Sequence, residues 1–191
     1  MIMSSATLDR VLDAASAGGA DFSEVFCEDN RQTVLNVRAA GVESSTIGRE
    51  SGVGIRIFSG MNCYYAYSND TREEALIRLA RELSKAAGSG TAQRTPLGQL
   101  VDRSHKISSM PMSSFDAKKK VELVNRVVRA GMEYHSDISQ MQVRYLDHDR
   151  RILIANSEGL LPEASGRTWT ECDIDTLGEN SRGAKRIVFS N

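Results

Sequence analysis

The chain has 191 residues, 40% hydrophobic and 26% charged, with 24 Lys and Arg against 25 Asp and Glu for a net charge of -1. These values exclude disordered and collagen-like classes and allow one ordinary domain, or two small layers sharing a core. The balanced charge offers no global attraction for nucleic acid or an acidic membrane. Cys27, Cys63 and Cys172 lack CxxC spacing, which argues against a disulfide framework and against a Cys-rich zinc site. The N-terminus lacks the basic flank and apolar core of a signal peptide, and no apolar run reaches membrane-spanning length. A soluble, cytoplasmic protein is expected.

Leu8, Val11, Leu12 and Ala15 recur at helical spacing, and Gly18-Gly19 supplies a left-handed stop, so the first element reads as a short amphipathic helix. Strands are then expected at Asp21 to Glu28, Thr33 to Arg38, Val42 to Ile47, Val53 to Phe58 and Asn62 to Tyr67. Gly41, Gly48 to Gly52 and Ser59-Gly60 separate them, and an antiparallel meander is the simplest pairing. Thr71-x-x-Glu74 reads as a capping box opening a second helix with Leu76, Leu79, Ala80, Leu83 and Ala87 on one face. From Gly88 to Ser114, with Pro96 and Pro111, the chain reads as an irregular connector.

A third helix is expected over Phe115 to Tyr134, with Val121, Val124, Val127 and Val128 inward and Lys118, Lys119 and Lys120 on a solvated face. Four strands follow: Ile138 to Leu146, Arg151 to Asn156, Arg167 to Ile174 and Lys185 to Phe189. Turns are expected at Asp147-His148-Asp149, Ser157-Glu158-Gly159 and Gly178-Glu179-Asn180. Asp21-Phe22-Ser23-Glu24-Val25 parallels Asp137-Ile138-Ser139-Gln140-Met141, each just after a helix. An internal duplication of a helix-strand-strand unit, giving two βαβ-like layers, stands open beside chance similarity. The fold class is α+β: a mixed, largely antiparallel sheet with about three packed helices, in halves 1–90 and 115–191 around a connector at 91–114.

Residues with reactive side chains are sparse. His105, His135 and His148 are the whole histidine supply, and none is followed by Glu or has a second His four or five residues away. Gly52-Val53-Gly54 fails the dinucleotide pattern, since its third glycine would fall at Ile57 with no helix opening there. Arg56 could hold a carboxylate, although an exposed or structurally paired arginine is the plainer reading. Cys63 with His135 could form a nucleophilic pair in principle, but Cys63 reads better as a small buried hydrophobe. His148 reads as part of a solvated turn. Tyr64, Tyr65 and Tyr67 suit a stacking platform, yet no basic residue between Met61 and Thr71 would track phosphates, so packing is the better account.

Four segments carry a resemblance: Gly19 to Val25, Ser51 to Gly60, Tyr65-Ala66-Tyr67, and Ile152 to Gly159. In order and spacing the chain resembles the N-terminal domain of the TldD/PmbA family, known as modulators of DNA gyrase and as zinc metallopeptidases. The Gly-Val-Gly-Ile-Arg and Tyr-Ala-Tyr wording is closer to the TldD branch. The resemblance implies a domain preceding a second one that carries HExxxH and a later metal-binding cysteine, where histidines hold zinc and the adjacent Glu acts as general base.

No HExxxH occurs in this sequence. No catalytic residue and no metal ligand is therefore assigned, and substrate-binding residues are unknown. Zinc is expected only in the family's following domain, and this chain alone is expected to be inactive. What the resemblance implies is a non-catalytic N-terminal domain that shapes peptide access and subunit assembly in a proteolytic hydrolase. The alternative is a freestanding binding or regulatory module that associates with a full-length family member. Partners are expected to be a second copy or a family member, as in a dimer, with a peptide substrate for the full-length protein. Nucleic acid and membrane are not expected partners. Strand edges at Lys185 to Phe189 and Tyr64 to Tyr67 are the expected contact points.

Overall fold

A computed structural model describes residues 3–38, 41–88, 94–98, 114–161, 165–178 and 182–190. The described elements are α1 (Ser5–Ser16), β1 (Phe22–Arg38), β2 (Gly41–Ser59), β3 (Asn62–Ser68), α2 (Glu73–Ala87), α3 (Ala117–Tyr134), β4 (Ile138–Asn156), β5 (Ser165–Gly178) and β6 (Arg182–Ser190). The strands form one antiparallel sheet in the order β3-β2-β1-β4-β5-β6. This is the expected α+β class. Each half runs helix, strand, strand, strand, and the βαβ-like layering is replaced by antiparallel meanders that extend outward from the central pair β1 and β4.

The strands are fewer and longer than expected. Asp21 to Glu28 and Thr33 to Arg38 merge into β1, Val42 to Ile47 and Val53 to Phe58 into β2, and Ile138 to Leu146 and Arg151 to Asn156 into β4. The expected turn at Asp147-His148-Asp149 is therefore strand. Two apolar clusters account for the difference. One takes Val25 and Cys27 of β1, Val53, Ile55 and Ile57 of β2, and Leu153 and Ala155 of β4, with the apolar faces of α1 and α2. The other takes Leu35 and Val37 of β1 and Met141, Val143 and Tyr145 of β4, with Val124 and Val128 of α3. Between these clusters the strands carry polar residues that lack an apolar signal, while backbone pairing continues through them.

By contacts the chain divides into two units, each assembled from three segments. The first comprises Met1–Asp29, Glu50–Ile107 and Arg151–Gly166, and the second Asn30–Arg49, Ser108–Arg150 and Arg167–Asn191.

In the first unit, α1 is capped by Ser4, whose hydroxyl accepts from the Thr7 amide at 3.1 Å. Leu8, Val11, Leu12 and Ala15 are buried, as their spacing requires, and Gly19 takes the left-handed stop with φ of 83°. The expected capping box of α2 does not form. Arg72 occupies the N-cap without a side-chain bond. Asp70 instead accepts from the Arg72 amide and guanidinium, which hold its carboxyl down at about 2. The first-turn carboxylate of Glu73 accepts from Thr7 at 2.8 Å and Arg10 at 2.6 Å, tying α2 to α1. It also sits where the helix dipole favours negative charge.

The chain leaving α1 passes close to α2, and the Gly18 amide donates to Ser84 Oγ at 2.6 Å. A side chain at Gly18 would collide with the Ser84 backbone oxygen, whereas one at Gly48 would meet only the flexible Gln32 side chain at 3.5 Å. Gly18→Ala is therefore expected to destabilise the protein by about 1–3 kcal/mol, the range for forced overpacking. Gly48→Ala is expected to stay within about 0.5 kcal/mol, as for surface changes. Urea unfolding followed by circular dichroism compares the two.

Candidate functional site

Polar and charged residues with unusual burial gather in the second unit, on the β4 face that packs against α3. Side chains at Met141, Val143, Tyr145, Asp147 and Asp149 alternate onto that face, so its apolar run turns acidic within one strand. Lys120, near the start of α3, reaches down to it. Its ammonium lies 2.8 Å from Asp147 Oδ2, with 5% and 1% of the two side chains exposed. The approach to that oxygen is that of an ion pair outside a good hydrogen-bond direction, while Nζ donates to Thr33 Oγ1 at 3.2 Å. The expected solvated lysine face is thus corrected at one position. Lys118 and Lys119 are exposed, and Lys120 is buried because it opposes the Asp147 carboxylate across the helix–sheet contact.

Tyr145 is buried beside this pair, and burial, then the Asp147 charge, raises its pKa. No well-formed hydrogen bond reaches its hydroxyl, although Asp147 and Thr170 are near enough to bias its titration. Asp149 accepts from Thr168 Oγ1 at 2.7 Å. His148 points to the opposite face, edge-on to Trp169 with ring centroids 3.9 Å apart. Its expected place in a solvated turn is corrected accordingly.

Beside Lys120 lies a cavity of about 430 Å³ lined by residues of β1, β2 and the start of α3, with Arg31 and Arg49 at its walls. Asp116 caps α3, accepting from the Lys118 amide at 3.1 Å. No sequence signal singled out this cavity, because its residues come from three distant segments.

The first unit presents a different surface. Arg56 donates to Glu24 at 2.5 Å and lies 5.5 Å from the Phe58 ring centroid, so it is structurally paired. Arg56 faces Tyr65 and Gly54 faces Tyr67 across the β2–β3 ladder. A side chain at Gly54 would meet the Tyr65 ring and its hydroxyl, so the glycine lets that ring lie across the strand. Tyr65 and Tyr67 are 61% and 72% exposed. Cys63 shares their face and is exposed too, which corrects its expected burial: β3 is an edge strand, and this face carries no helix among the described residues. His135 ends α3, where its Nδ1 accepts from the Asp137 amide at 3.2 Å. His105 lies outside the described residues.

Residues 23–87 match the family profile described as PmbA/TldA metallopeptidase domain 1, and residues 117–191 match a profile described as ribonuclease. A protein of Heyndrickxia coagulans named ribonuclease is 49% identical over 39 residues, covering 20% of this chain and 35% of that protein. Among solved structures, one named for modulation of DNA gyrase from Bacteroides thetaiotaomicron aligns with a TM-score of 0.73 at 14% identity, covering 100% of this chain and 46% of that one. Another so named, from Thermotoga maritima, aligns at 0.69 with 12% identity, covering 97% and 42%. TldE from Thermococcus kodakarensis aligns at 0.63 with 12% identity, covering 97% and 43%.

The chain thus spans less than half the length of these solved structures. At such identities the likeness establishes the fold. It also includes the segment that matches the ribonuclease profile, which forms α3 through β6 of the same sheet. A metallopeptidase zinc needs three or more converging His, Cys or carboxylate ligands. Among the described residues no such group converges, so these residues do not fit the metal.

Two measurements follow from the buried groups. Lys120→Met or Asp147→Asn alone strands one buried partner and is expected to cost about 3–5 kcal/mol, with the Lys120→Met/Asp147→Leu pair recovering most of that loss. Chemical denaturation of the three variants checks this. Burial pushes the Cys27 thiol up to about 12, leaving about one part in ten thousand as thiolate near pH 8. Iodoacetamide is expected to label Cys63 first, Cys172 more slowly and Cys27 only on unfolding, read by mass spectrometry.

Proposed function

We propose, from the match of residues 23–87 to the profile of PmbA/TldA metallopeptidase domain 1 and from the shared fold, that this chain is the non-catalytic N-terminal domain of a TldD-like zinc metallopeptidase. Its work in that setting is to shape peptide access and subunit assembly. The observation that carries this reading is the pairing of a family fold with a sheet open at both ends. β3 and β6 are the two edges, each with one side lacking a strand partner among the described residues. Exposed edges and large exposed rings such as Tyr65 and Tyr67 favour contact with another chain. Assignment to the TldD branch rests on the wording of Gly52 to Arg56 and Tyr65 to Tyr67.

A ribonuclease reading draws on the profile match over residues 117–191. That chemistry needs a positioned acid and base near a phosphodiester. His135 is exposed at a helix end and His148 packs on Trp169, so each has a local structural role. We favour the family-domain reading.

Sedimentation velocity over a wide concentration range, with the chain alone and with a TldD-like protein containing HExxxH, tests assembly. A species heavier than the monomer is expected, weakened by Tyr65→Lys/Tyr67→Lys. A monomer under every condition would overturn assembly. Assays of the chain alone on peptides with added zinc, and on RNA, are expected to show no turnover. Zinc-dependent peptide hydrolysis would overturn the non-catalytic assignment. RNA cleavage abolished by His135→Ala would replace it with the ribonuclease reading.

A further inference from the structure

The two edge strands of the sheet differ in what guards them. β6 carries Arg182 and Lys185 as exposed cations, and charge along an edge is one way native sheets discourage pairing with another chain. β3 reads Asn-Cys-Tyr-Tyr-Ala-Tyr-Ser, 7 residues with no charge and no proline, and its tyrosines favour extended backbone. β2 pairs with its inner side from Ser59 opposite Asn62 to Val53 opposite Ser68. Its outer side has no strand partner among the described residues. Cys63, Tyr65 and Tyr67 stand exposed along it, on the face away from the helices.

The order of side chains along β3 suits a copy of itself. A two-fold axis through Tyr65 aligns two β3 strands antiparallel over their full length, with Asn62 opposite Ser68, Cys63 opposite Tyr67 and Tyr64 opposite Ala66. Every ring but the central one then faces a smaller side chain, and no like charges meet. At the axis Tyr65 would oppose its own copy, and each chain relieves that crowding by itself. The Tyr65 ring lies back across β2 over Gly54, where a Cβ would stand 2.7 Å from its hydroxyl, so the outer edge is clear at that point.

We propose that β3 is the surface through which two copies of this chain join, edge to edge and antiparallel about Tyr65, so that their sheets run on as one. The inference rests on the assembly role proposed above and names its surface, its occupant and its register. Backbone N–H and C=O groups of the two edges supply the hydrogen bonds, as in other cases of strand addition. The uncharged side chains of β3 set the register, and the cations of β6 keep that edge out of the contact.

Tyr67→Cys beside the native Cys63 reads the register directly. Residues four apart on one strand are about 13 Å apart, too far for a disulfide, whereas directly opposed residues of antiparallel strands lie within bridging distance. Mild oxidation of this variant is expected to give a covalent dimer in which peptide mapping finds Cys63 of one copy joined to the introduced thiol of the other. Met61→Cys, in the adjoining turn, is expected to give none, because the same register holds its thiol clear of the other copy's cysteines. Tyr65→Lys sets like charges opposite each other at the axis and is expected to raise the dimer dissociation constant about tenfold or more in sedimentation equilibrium. Lys185→Glu on β6 is expected to leave that constant unchanged. All four positions are exposed, so the variants are expected to fold, which circular dichroism checks. A dimer that forms no such disulfide, or that Lys185→Glu weakens as much as Tyr65→Lys, overturns the β3 contact and leaves the assembly reading standing. Association only with a longer family member likewise overturns the second copy as occupant. A monomer under every condition overturns both.

Discussion

The two halves of the sequence become one sheet through a reciprocal clasp between Ser23 and Ser157. The Ser23 amide donates to Ser157 Oγ at 3.0 Å, and the Ser157 amide donates to the Ser23 carbonyl at 2.9 Å, across 134 positions of sequence. Ser23 is fully buried and shares a hydroxyl contact of 2.8 Å with Ser16 at the end of α1. Ser157 accepts in turn from the Thr95 amide at 2.8 Å through its carbonyl. Helix, first strand, fourth strand and connector are thereby joined at one buried polar point. Any of these groups left without its partner would incur a desolvation cost of about 1–3 kcal/mol.

Beside that clasp lie the segments whose wording resembles the TldD/PmbA family. Asp21 accepts from the Gly60 amide at 2.6 Å, and its own amide donates to the Phe58 carbonyl. Asn156 folds the turn after β4 by accepting from the amides of Glu158 and Leu160 at 3.1 Å each. The segments around Asp21, Gly60 and Asn156 thus meet in the first unit as architecture.

Much of the fold could be read from hydrophobic spacing. Leu8, Val11, Leu12 and Ala15 mark α1, and Val124 and Val128 mark the buried side of α3, because helical periodicity survives wherever one face meets a core. The continuity of β1, β2 and β4 was not legible, since Gly48 to Gly52 and Asp147 to Asp149 carry turn-forming residue types. Cross-strand pairing overrides those local preferences, a tertiary effect. Burial of Lys120 was not legible, because its counter-charge at Asp147 lies 27 positions away on another element. Exposure of Cys63 depends on β3 standing at an edge, which strand order decides and composition does not.

The interleaving of the two units has a consequence for how the chain can be cut or evolve. Each unit draws on three separate segments, and each boundary between segments falls within a strand or in the connector region. Neither unit is a single contiguous stretch of sequence, so a truncation at the boundary between the two sequence halves would sever both at once. Folding must close long loops before either apolar cluster is complete, which favours slow and cooperative acquisition of structure. Exchange of one sequence half for another must therefore supply strands able to complete both units.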